Sequence, residues 1–123
     1  MQHLFLTPQL SQQAKIKGFT DPCFGFYTMS KDVMKVERLR NNALHVNSDL
    51  GRISAPLYQQ IIHWLFNKGF YLDDQWLPHE RLWICDLRNR SGDLIWEDPV
   101  KDPILSLEQA WERAIEKALH FMT

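Results

Sequence analysis

The sequence predicts an α+β fold: a mostly antiparallel sheet packed by helices, in the order α-β-β-α-β-β-β-α. Three observations carry this prediction. Helical periodicity appears in three places, each with end signals. Between them lie runs of β-branched and aromatic residues joined by connections too short for parallel crossovers. One of those runs, "RLWICDLR", is apolar at both side-chain parities, as a central strand covered on two faces would be.

The first helix is read from "TPQLSQQAKIK". Thr7 suits the N-cap and Pro8 the first helical position, where its missing N–H costs nothing. Gly18 closes the helix in the left-handed conformation, with Phe19 returning toward Ala14. The apolar stripe is thin, mainly Leu10 and Ala14, so this helix is a cover. Next, Cys23 to Met29 and Val33 to Leu39 flank "SKD" and read as a hairpin. "RNNALHVNSDLG" reads as an ordered loop with a short strand around Leu44 to Val46.

The second helix is expected from "SAPLYQQIIHWLFNKG", with Ser54 as N-cap and Pro56 in the first turn. Leu57, Tyr58, Ile61, Ile62, Trp64, Leu65 and Phe66 cover about 200° of its wheel. Both Tyr58 and Phe66, at the margins of that arc, are expected to lose most of their surface to the protein itself. Gly69 ends the helix as Gly18 ends the first, and Phe70 takes the place of Phe19. "FYLDDQW", "RLWICDLR" and "DLIWED" are three strands joined by "LPHE" and "NRSG". The last helix opens with the capping box Ser106 to Gln109 and carries Leu107, Ala110, Trp111, Ala114, Ile115, Ala118, Leu119, Phe121 and Met122 on one half of its wheel. Arg113 and Glu116 fall on its exposed side as an i, i+3 pair.

The chain of 123 residues fits a single domain over 1–123. Its net charge of −1 gives no bulk attraction to nucleic acid or anionic lipid. No run approaches the roughly 20 apolar residues of a membrane span, and "MQHLFLTPQ" lacks the basic start of a signal peptide. Cys23 and Cys85 lie in apolar runs without C-x-x-C spacing, so both are expected buried and reduced, in the cytoplasm.

No chemical constellation emerges from the letters. The five histidines form no ligand spacing, so no metal and no cofactor is expected. His63 and His120 read as a solvated side chain and a helix-end cation. There is no G-x-S-x-G and no phosphate loop. The carboxylate pairs Asp73-Asp74 and Glu97-Asp98 read as solvated strand ends. No catalytic residue is therefore assigned. From Ser54 onward the element order is that of double-stranded RNA-binding domains. The turn that should meet phosphate, however, reads "SLEQAWE" and would repel it.

A resemblance follows from "KGFTDPCFGFYT", "SAPLYQQIIHWLFNKG" and "LEQAWERAIEKAL". The chain resembles a group of small uncharacterised proteins common in Bacteroidetes genomes and in their phages and mobile elements. Leu57 to Gln60 and Trp64 carry the most specific part. The resemblance implies a bacterial or phage cytosolic setting, and it implies no activity and no catalytic residue.

The expected function is a small non-enzymatic interaction or accessory protein, its partner another protein or a second copy as a homodimer. The surplus aromatics supply candidate contacts: Tyr58, Phe66, Trp76 and Trp96. The alternative is a nucleic-acid accessory protein using the basic 31–52 region, through Lys31, Lys35, Arg38, Arg40 and Arg52, diluted by Asp32, Glu37 and Asp49. An enzyme with a dispersed site ranks last.

Overall fold

The computed structural model describes residues 5–23, 25–30, 33–38, 52–99 and 106–122. The order is α1 (Pro8–Ile16), β1 (Gly25–Ser30), β2 (Val33–Arg38), β3 (Arg52–Ala55), α2 (Tyr58–Asn67), β4 (Tyr71–Leu77), β5 (Leu82–Arg88), β6 (Leu94–Trp96) and α3 (Leu107–Phe121). The α+β class and antiparallel pairing are as the sequence predicts, with one strand more, β3, among the described residues. The strands form two three-stranded sheets, β2-β1-β3 and β4-β5-β6. The contacts divide the chain into two compact units, Met1–Ile61 and Ile62–Thr123, with the division inside α2.

In the first unit Thr7 caps α1, its hydroxyl accepting from the Leu10 N–H at 3.4 Å. Gly18 follows the helix with φ +95°. The Phe19 N–H then donates to the Ala14 carbonyl at 2.9 Å, closing the Schellman turn. β1 pairs with β2 from Gly25↔Arg38 to Ser30↔Val33 and with β3 from Gly25↔Ala55 to Thr28↔Arg52. Phe5, Tyr27, Ile53 and Ala55 form the core cluster, with Leu57 against it. The Tyr27 hydroxyl donates to the Leu6 carbonyl, which also accepts from the buried Ser11 hydroxyl.

The helix start placed at Ser54 is corrected. Ser54 is buried within β3, opposite Phe26, and α2 begins at Tyr58. The physical reason is tertiary pairing. The Pro56 carbonyl accepts the Leu6 N–H at 2.8 Å, and Leu57 bridges Phe5, so these residues stay extended. The strand expected around Leu44 to Val46 lies outside the described residues.

In the second unit β4 pairs with β5 from Tyr71↔Arg88 to Leu77↔Leu82, and β5 pairs with β6 through Leu87↔Trp96 and Arg88↔Leu94. "RLWICDLR" is thus the central strand. α3 lies on β5 and β4. Its Ala110, Ala114 and Ala118 are fully buried and let it approach closely, while Ile115 and Leu119 fill the space between. Burying each of those two larger side chains contributes about 1.5–3 kcal/mol. Ser106 caps this helix, its hydroxyl accepting from the Gln109 N–H at 3.2 Å.

At the end of α2, Gly69 has φ +99° and the Phe70 N–H donates to the Leu65 carbonyl at 2.9 Å. A Cβ at Gly69 would meet nothing within 4 Å, so only the backbone conformation resists a side chain there. The substitution Gly69→Ala is expected to lower stability by about 1–2 kcal/mol, read as a shift in urea midpoint at unchanged slope. A neutral effect would show that this turn is not set by its left-handed residue.

Candidate functional site

The candidate aromatics do not converge. Tyr58 is 7% exposed, which fulfils the expectation of burial and removes it as a partner contact. Phe66 is 42% exposed, against that expectation. The correction has a geometric cause: Phe66 stands in the last turn of α2, beside Tyr71 at the start of β4, and their rings meet edge-on at 6.3 Å and 77°. Trp76 is 47% exposed and packs on its cross-strand partner Trp83 at 5.4 Å. Trp96 is half-buried opposite Leu87.

Register explains the sorting. Tyr71, Arg88 and Leu94 sit opposite one another across the three strands and therefore share one face of the sheet. Leu72, Leu87 and Trp96 make the adjacent row on the other face. Trp76 belongs to that second face by strand alternation, and Trp111 of α3 donates from Nε1 to Asp74 there at 3.2 Å. A bulge beside Leu87/Arg88 puts Leu94 and Trp96, two residues apart, on opposite faces.

The first face carries an exposed aromatic–arginine row. Tyr71 is 46% and Leu94 49% exposed, with Phe66 beside Tyr71. Arg88 lies between them, held by Asp73 at 2.9 Å and by the Gly92 carbonyl at 3.0 Å. Arg90 reaches back to the end of α2, where its Nε donates to the Phe66 carbonyl at 3.1 Å and its Nη2 to the Asn67 carbonyl. Its guanidinium also stands 5.8 Å from the centroid of the Phe66 ring. The β5–β6 loop that presents Arg90 is built by Asn89, whose carbonyl Oδ1 accepts from the Ser91 and Asp93 N–H groups. Sequence reasoning missed Tyr71, Arg88, Arg90 and Leu94. The signal was the alternation in "FYLDDQW" and "RLWICDLR", but a row also needs the register.

A second cluster is structural. Asp98 is buried, which corrects the reading of Glu97-Asp98 as a solvated end. Its Oδ2 accepts from the Cys85 N–H at 3.1 Å and its own N–H donates to Asp86 Oδ1 at 2.8 Å. Arg113 Nη2 lies 2.7 Å from Oδ1, which has no aligned hydrogen-bond donor and is met by this charge. Arg113 therefore faces Asp98 rather than serving as the exposed partner of Glu116.

Both cysteines are unpaired and buried. Burial pushes the Cys23 thiol up to about 12, with Asp21 adding to the effect. Burial, and then the carboxylates of Asp74, Asp98, Asp86 and Asp73, push the Cys85 thiol well above its usual range. His63 and His120 are exposed, and His63 meets the Asn67 amide at 3.3 Å. Among the described residues no group of three or more His, Cys, Asp or Glu is placed to hold a metal ion. No described helix is long and apolar enough to cross a membrane.

Of the basic candidates, Lys31 and Arg40 lie outside the described residues. Lys35 and Arg38 are in β2 and Arg52 in β3; the register sets Lys35 and Arg52 on either side of Thr28. No family model, no curated protein and no solved structure matches this chain.

Asp98→Ala is expected to cost about 2–4 kcal/mol, because it frees a buried N–H and unpairs Arg113. Asp73→Ala, at a partly exposed ion pair, should cost less than about 1 kcal/mol. Equal losses in denaturant titrations would refute this ranking. Stability should also fall as pH rises from about 9 to 12. The unfolded Cys23 thiol loses its proton above 9 while the folded one keeps it to about 12. Buried Tyr27, raised from 10 to about 12, adds to the loss over the upper part of that window. The folded state binds more protons throughout, so alkali favours unfolding. Urea midpoints that stay level between pH 8 and 10.5 would contradict this.

Proposed function

We propose that this chain is a small non-enzymatic interaction protein that docks a protein partner through the Phe66–Tyr71–Leu94 row and its arginines. The observation that carries the reading is the row itself. Three large apolar side chains stand exposed around two guanidinium groups that are already held in place. Aromatic residues and arginine dominate binding energy at protein interfaces, and held side chains lose little entropy on docking. A non-enzymatic role is supported by the polar groups that are buried. Asp98, Asp86 and Arg113 join β5, the segment after β6 and α3, and both thiols keep their protons at neutral pH. The resemblance supports a bacterial or phage origin and a cytoplasmic setting.

The second reading, a nucleic-acid accessory protein, is favoured by the Lys35–Thr28–Arg52 register. A low-salt titration with single- and double-stranded DNA and RNA tests it, since phosphate contacts are strongest there.

The docking reading predicts that a Phe66→Ser/Tyr71→Ser double variant keeps its circular dichroism spectrum and loses its partner. Affinity capture from cells that carry the gene, compared quantitatively with the parent, should show a loss of about tenfold or more. A Trp76→Ser variant, altered on the opposite face, should capture the partner normally. Retention by the double variant would sink the proposal.

A further inference from the structure

We infer that the partner presents an acidic segment, with a carboxylate seated between the end of α2 and the β5–β6 loop and apolar side chains on the Phe66–Tyr71–Leu94 row. This rests on the docking reading and names the chemistry of its occupant. Beside the row lies an open depression of about 390 Å³, lined by Asn67, Lys68, Gly69, Asn89, Arg90 and Ser91. Two of these residues are cations and none is a carboxylate. The carboxylates that accompany the loop are already engaged, Asp73 with Arg88 and Asp93 with the Asn89 amide, and neither lines the depression.

The donors suit a carboxylate. Arg90 spends Nε and Nη2 on the carbonyls of Phe66 and Asn67, which fixes the guanidinium plane and leaves Nη1 to donate. Lys68 also lines the depression, its Nζ 5.6 Å from the centroid of the Trp64 ring. Ser91 completes the lining on the loop side. The Schellman turn at Gly69 and the Asn89-centred loop are both tight hydrogen-bonded structures, so the donors are positioned before binding.

The test pans a random peptide library on phage against the immobilised full chain. The expected result is enrichment of sequences that place Asp or Glu beside aromatic or aliphatic residues. A synthetic peptide of the enriched sequence should bind about tenfold more tightly than its Asn/Gln counterpart and weaken as salt rises. Lys68→Gln and Arg90→Gln should each reduce that binding severalfold, while Arg90→Lys keeps more of it; circular dichroism checks that the end of α2 persists.

Enrichment of neutral or basic sequences, or equal binding of acid and amide peptides, overturns the inference. If such binding is still lost in the Phe66→Ser/Tyr71→Ser variant, the docking reading stands without it. Binding that survives in that double variant overturns the docking reading as well, as does a library that yields nothing above bare support. Displacement of the peptide by inorganic phosphate, with the peptide's apolar residues dispensable, would make the depression a simple anion site. A concentration-dependent dimer that blocks peptide binding would assign the row to a second copy instead.

Discussion

The second unit is organised around the buried carboxylate of Asp98. β6 ends at Trp96, yet the ladder position beyond it is not left open. The Asp98 side chain takes the N–H of Cys85, and the Asp98 backbone gives its own N–H to Asp86. A side chain thus does the work of a strand where the chain turns away before Pro99. The same carboxylate holds Arg113, which ties α3 to this edge of the sheet. An unpaired charge in that position would cost several kcal/mol, so strand end, connection and helix are mutually dependent.

That constraint reaches the exposed row through β5. Asp98 holds the middle of the strand at Cys85; alternation puts Arg88 on the face opposite Leu87, and the bulge beside Leu87/Arg88 puts Leu94 on that face while Trp96 stays on the other. The row is therefore set by strand register and the bulge. Arg90 contributes in the other direction. By donating to the last carbonyls of α2 it holds the helix end against the loop and sets Phe66 beside Tyr71.

Two segments of the first unit, "KGFTDPC" and "APLYQQ", are fold-forming. In "KGFTDPC", Gly18 makes the turn, Phe19 is fully buried and Cys23 is packed away from solvent. In "APLYQQ", Ala55 closes β3 and Gln60 donates its side-chain amide to the Pro22 carbonyl. The two segments meet in the first unit through that bond. The exposed row lies outside both segments.

Much was legible without coordinates, because it is local. Thr7, Ser106, Gly18 and Gly69 act within a few residues of themselves, so caps and stops could be read directly. The alanine face of α3 and the central place of "RLWICDLR" follow from periodicity alone. Ser54 could not be read so, since its cap propensity yields to pairing with β1, a contact distant in sequence. Nor could Asp98 or Phe66, whose burial and exposure depend on which segment arrives beside them. By itself the sequence determined the α+β class, most element ends and the buried thiols. Only the tertiary structure decided the two-sheet arrangement, the Asp98 junction and the aromatic–arginine row. Register and bulges assign each side chain to a face, and a shift of one residue exchanges the two.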